Sequence, residues 1–159
     1  YCIVFLYTLI QYTLSLCCIF KSTLYTLKSS PGADKVNIIY VLEKLEIDFQ
    51  IVTRTSSNKA GRISYETLRQ IDVRNAPIII NCTPLGMHPN NEIYPDIPYS
   101  GIDKFHLLID LIYNPTETVF LKKGAEKGAM CKNGYDMLVK QAEECGKYGL
   151  LQAKERDKI

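Results

Sequence analysis

From Gly32 onward the chain alternates helix-like and strand-like stretches, the pattern of an α/β domain built on a parallel sheet. Ile38, Val41, Leu42 and Leu45 recur at helical spacing, with Glu43, Lys44 and Glu46 on the other side. This predicts an amphipathic helix over roughly Asp34–Leu45. Phe49–Val52 reads as the strand that follows. Ala76–Ile80 is a continuous apolar run, as expected of a strand covered on both faces. Phe105–Ile112 is the next strand, interrupted only by His106 and Asp110.

The connections are as legible as the elements. "TRTSSNKAGR", Thr53 to Arg62, is a polar loop, and a weak helical turn follows around Tyr65–Gln70. His88–Pro98 carries three prolines and two adjacent asparagines, so it is loop. "NPTET" has the marks of a helix start: Asn114 as N-cap, Pro115 at the first helical position and Glu117 where a capping-box carboxylate reaches back. Gly128 ends that helix. Ala129–Cys131 is a short strand, Asn133-Gly134 a turn, and Tyr135 to about Tyr148 a last helix.

At 159 residues the chain is long enough for one domain with a hydrophobic core. The 19 basic and 17 acidic residues are interspersed, which argues against a nucleic-acid partner. Cysteines at 2, 17, 18, 82, 131 and 145 show no metal-ligand or disulfide spacing, so no metal is expected and a reducing cytoplasm fits best. The start differs in kind. Residues 1–28 carry no charge until Lys21 and are crowded with Tyr, Leu, Ile and Cys. A membrane or signal segment, a buried pair of strands and a truncated or wrongly joined start all compete. We read the last, because Thr8, Gln11, Thr13 and Ser15 dilute the apolar run and the composition changes abruptly at Ser29–Gly32. The expected organisation is therefore 1–28 uncertain, 29–150 a nucleotide-binding domain and 151–159 a polar tail, with no membrane partner.

In an open parallel sheet, ligands bind beyond the carboxyl ends of the strands. Two strand ends stand out. "NCTPLG", Asn81 to Gly86, ends a buried strand in small polar groups and a glycine that backbone can approach; an ordinary turn is the bland alternative. After Phe49–Val52 comes Thr53-Arg54-Thr55, about twenty residues past Gly32, with Lys59 nearby. A dinucleotide fold reads the adenosine ribose at that place, and Arg54 would pair with a 2′-phosphate, which suggests NADP and not NAD. A solvated polar loop is the alternative. The phosphate loop is the weak point: "SSPGADK" offers a single Gly32, and Pro31 has no N–H to give.

Three segments, "INCTPLGM" (Ile80–Met87), "DLIYNPTETVFLKKGAEKGA" (Asp110–Ala129) and "NGYDMLVKQAEE" (Asn133–Glu144), together resemble the cofactor-binding half of shikimate dehydrogenase, in order and at its spacing. The resemblance covers about Gly32–Gly149. It implies a Rossmann-like parallel sheet flanked by helices, here lacking its first strand and the amino-terminal substrate domain. It also implies NADP as cofactor and reversible reduction of 3-dehydroshikimate to shikimate, in a cytoplasmic monomer or homodimer. By motif, Gly32, Arg54, Thr55, Lys59, Asn81, Cys82, Thr83, Met87, Leu111 and Gly134 would lie along the cofactor, and Tyr113 and Gln141 would bond the substrate's hydroxyls. The departures are Thr53 where the family has Asn, and "SPGAD" in place of a glycine-rich loop. The family's catalytic Lys and Asp belong to the amino-terminal domain, and residues 1–28 hold no Asp, so no catalytic residue is assigned and little turnover is expected. A quinate-using relative and a non-catalytic dinucleotide-binding module are the competing readings.

Overall fold

A computed structural model describes residues 24–27, 37–44, 46–54, 61–140 and 142–143. Six parallel strands form one sheet: β1 (Leu24–Leu27), β2 (Phe49–Thr53), β3 (Arg62–Ser64), β4 (Ile78–Asn81), β5 (Leu107–Asp110) and β6 (Met130–Lys132). Their order across the sheet is β3-β2-β1-β4-β5-β6. From β1 at the centre, the described strands run out to one edge, return and fill the other side, which is the doubly wound order of a dinucleotide-binding fold.

The first strand is present, contrary to the expectation from sequence. β1 pairs in parallel with β2, Leu24 opposite Phe49, and with β4, Tyr25 opposite Ile79. The domain therefore reaches back at least to Leu24, and a boundary at residue 29 falls too late. A four-residue strand hydrogen-bonded on both sides needs no amphipathic pattern of its own, which is why Leu24–Leu27 does not stand out from the apolar residues around it.

The helices α1 (Asn37–Lys44), α2 (Gln70–Arg74) and α3 (Val119–Glu126), with a last helix α4 over residues 135–140, accompany the strands. α1 buries Ile39 and Leu42, as its periodicity requires. Ile78, Ile79 and Ile80 are all buried, so β4 is covered on both faces. One face carries the main core, where Val52, Ile79, Leu108 and Phe120 meet Leu68 and Val73 from around α2, and Ile97 and Ile102 from the loop before β5. Phe120 is fully buried, and cutting it to Ala would cost about 3–5 kcal/mol.

Several boundaries move. β3 lies where no strand is expected from sequence, and the weak turn at Tyr65–Gln70 precedes a helix instead of being one. β5 is shorter than its apolar run, because Phe105 is 75% exposed in the preceding turn. The third helix begins at Thr118, not Asn114. The Thr118 hydroxyl accepts from the Leu121 N–H at 3.4 Å while donating to buried Asp110 at 2.6 Å, and this second bond fixes the cap four residues late. Its far end stops at Gly128, whose N–H donates to Ala125.

Candidate functional site

Because the six described strands are parallel, their carboxyl ends open on one edge of the sheet. Arg54 follows β2 and is exposed, Tyr65 follows β3, Asn81–Thr83 close β4, Asp110–Leu111 close β5, and Asn133-Gly134 follow β6. The expected residues Asn81, Cys82, Thr83, Leu111, Gly134 and Arg54 are thus gathered along this edge. Met87 and Tyr113 stand on the adjoining loops, 48% and 50% exposed. Gly32, Thr55, Lys59 and Gln141 lie outside the described residues.

The edge is held by a buried polar network. Asp110 is fully buried, and its carboxylate accepts three hydrogen bonds: from Asn81 Nδ2 at 3.1 Å, the Ile112 N–H at 3.1 Å and Thr118 Oγ1 at 2.6 Å. Asn81, also fully buried, turns its oxygen the other way to accept from the Thr83 N–H at 3.0 Å and Thr83 Oγ1 at 2.6 Å. Burial pushes the Asp110 carboxyl above the ordinary range, and the bonds from Thr118, Ile112 and Asn81 pull in the opposite direction. All three partners are donors, the set that an ionised carboxylate needs. Asn81 therefore spends its side chain on the turn. What it shapes is the path of Cys82 and Thr83 past the strand end.

Further bonds join neighbouring loops. The Leu111 N–H donates to the Asn81 carbonyl at 3.1 Å, and the His88 N–H to Asn114 at 3.3 Å, linking the loops after β4 and β5. The Gly134 N–H donates to Ile112 at 3.0 Å and Asn133 Nδ2 to Thr116 at 2.8 Å, linking the loops after β5 and β6. Gly134 sits so close to Leu111 that a Cβ there would collide with the Leu111 carbonyl oxygen, so only glycine fits. Its own carbonyl already accepts from Leu138 and keeps a second lone pair for another donor. Gly86 has φ +99°, a left-handed value that turns the chain after Leu85 back over Thr118. Three loops therefore form one pre-ordered wall, the kind of surface that binds a flat ligand at low ordering cost.

Asp110 and Thr118 are not among the residues that the sequence assigns to this edge. The signal was there in one half only: a lone Asp ending an apolar strand is costly unless paired, but its partner eight residues later is set by folding. His106, the other interruption of that strand, is buried at the opposite, amino edge, with Nδ1 2.8 Å from Asp103 Oδ1 and Nε2 3.2 Å from the Val73 carbonyl oxygen. It ties β5 to the end of α2 and lies away from the candidate site. No helix among the described residues is long and apolar enough to cross a membrane.

The sequence and the fold both have counterparts among known proteins. A relative from Methanococcus maripaludis is 49% identical over 83 residues, covering 52% of this chain and 29% of its own. One from Clostridium beijerinckii is 38% identical over 115 residues, covering 70% and 42%. Both are shikimate dehydrogenases (NADP+) by name. The chain is similar to shikimate dehydrogenases in sequence and in fold. A crystal structure of a shikimate dehydrogenase in complex with NADP+ superimposes with a TM-score of 0.58 at 27% identity, over 74% of this chain and 45% of that one. No family model matches. The chain spans less than half the length of these shikimate dehydrogenases.

Proposed function

We propose that this chain is the NADP-binding part of a shikimate dehydrogenase, a protein that interconverts 3-dehydroshikimate and shikimate. The observation that carries the reading is Arg54 at the carboxyl end of β2 in a sheet of order β3-β2-β1-β4-β5-β6. In that order the ribose of a bound dinucleotide lies beside the end of β2, and a basic residue there suits a 2′-phosphate. The rest of the edge fits the same group. Cys82 and Thr83 border its middle, and the wall made by Leu111, Met87 and Gly134 suits the nicotinamide end, where the second lone pair of the Gly134 carbonyl can accept from a carboxamide. NADP supplies the hydride acceptor or donor.

What this chain's own residues do is hold and orient. Tyr113, half exposed on the loop after β5, and Gln141 are proposed from the resemblance to bond ring hydroxyls of the substrate. The reading assigns no proton-transfer pair to these 159 residues, and general acid–base assistance is typically worth a factor of about 10²–10⁴. Little or no shikimate-dependent reduction of NADP by the chain itself is therefore expected.

Calorimetric titration with NADP and NAD tests the proposal. NADP should bind more tightly, and Arg54→Ala should weaken NADP by about tenfold or more while leaving NAD nearly unchanged, the size of a charge-assisted hydrogen bond. Equal affinity for both dinucleotides in the unaltered chain would overturn it.

A further inference from the structure

Two partly buried tyrosines pack against the core, and they differ in one respect. Tyr99 donates its hydroxyl to the Pro95 carbonyl at 2.9 Å. The Tyr65 hydroxyl is closed off from solvent and has no hydrogen-bond partner among the described residues. A Phe would pack the same ring without stranding a polar atom, so the oxygen is unexplained by packing.

Its place in the fold offers a use for it. Tyr65 directly follows β3, and its N–H donates to the Thr53 carbonyl at 3.0 Å. Thr53 pairs with Ser64, so Tyr65 stands one step beyond the ladder, beside Arg54. Cys82, Arg54 and Asp96 act electrostatically on the phenol, in keeping with its position at the edge where β2 and β3 end. Burial pushes its ionisation upward, so it remains a neutral group that can donate.

We propose that Tyr65 is a further binding residue of the nucleotide site, its hydroxyl donating to the ribose phosphate that Arg54 reads. This rests on the nucleotide reading above. A phosphate has several acceptor positions, and a neutral donor beside a guanidinium serves an oxygen that the guanidinium leaves uncovered. The hydroxyl is sealed from water, so neighbouring side chains must move aside for a phosphate to reach it.

The test titrates adenosine 2′,5′-bisphosphate and 5′-AMP into the unaltered chain, Tyr65→Phe and Arg54→Ala, with thermal melting of each. Tyr65→Phe should melt at the same temperature or higher, because it removes a stranded polar atom, yet bind the bisphosphate about tenfold more weakly with AMP unchanged. A purely structural hydroxyl would lower the melting temperature and spare the phosphate preference. Unchanged bisphosphate affinity in Tyr65→Phe, or an equal loss for AMP, overturns the proposal; if Arg54→Ala still abolishes the preference, the nucleotide reading stands without Tyr65. No preference for the bisphosphate in the unaltered chain overturns both.

Discussion

The two ends of β5 each bury an ionisable side chain, and they solve the problem differently. At the carboxyl end, Asp110 is met only by donors from the end of β4 and from the loop after β5, all of them buried. At the amino end, His106 is met by the Val73 carbonyl and by Asp103, whose side chain is 48% exposed. A group whose partners are sealed inside cannot fall back on water when one partner is lost, whereas a half-exposed partner can. The carboxyl end is thus the rigid one, and it is the end where ligands of parallel sheets bind.

The largest test of this contrast is Asp110→Ala. It strands Asn81 Nδ2, Thr118 Oγ1 and the Ile112 N–H together, and should cost about 3–5 kcal/mol in urea denaturation. His106→Ala should cost about 2 kcal/mol, since Asp103 regains water. If the histidine variant proved the less stable of the two, the contrast would be reversed.

Gly134→Ala comes next. The added methyl would press on the Leu111 carbonyl oxygen, forcing the loops after β5 and β6 apart at about 1–3 kcal/mol. If these loops form a wall of the nucleotide site, dinucleotide affinity should fall along with stability. A stability loss with affinity intact would separate the wall from the site.

Thr118→Val removes both the helix cap and the shortest bond to Asp110, for about 1–2 kcal/mol. Its effect should not add to that of Asp110→Ala, because the two share an interaction. A double variant whose cost equals the sum of the singles would show that the network is not coupled.

The smallest effect is the most selective. Asp103 is held below the ordinary carboxylate range, chiefly by the Phe105 N–H and further by His106, so its contribution is present above its unfolded pKa and is lost as pH falls through the folded one. Asp110 is shifted upward by burial, so the unfolded chain releases that proton first and its contribution declines as pH rises from the ordinary carboxylate value to the higher folded one. In stability–pH curves, Asp103→Asn should flatten a rising segment on the acid side and Asp110→Asn a falling segment just above it. Matching changes of slope in the two variants would contradict the assignment.

What the sequence determines is whatever depends on local period and composition. The apolar run around Ile78–Ile80 and the amphipathic spacing of α1 predict their own elements, because covering a strand on both faces or one face of a helix leaves its mark within a few residues. The strand-end motifs around Arg54 and Asn81 are equally local, and parallel alternation alone places them on one edge. The tertiary structure decides what depends on distant partners. Leu24–Leu27 becomes the central strand only because β2 and β4 pair with it on either side. The cap moves from Asn114 to Thr118 because Asp110, eight residues back, takes the threonine hydroxyl in the folded chain. Asn81 is turned from an apparent ligand group into a brace by the same carboxylate, and Tyr65 acquires a sealed hydroxyl, without a partner among the described residues, only when β3 docks beside β2. Such hydrogen bonds join residues that no sequence window contains, and their strength comes from a burial that does not exist until the sheet has closed.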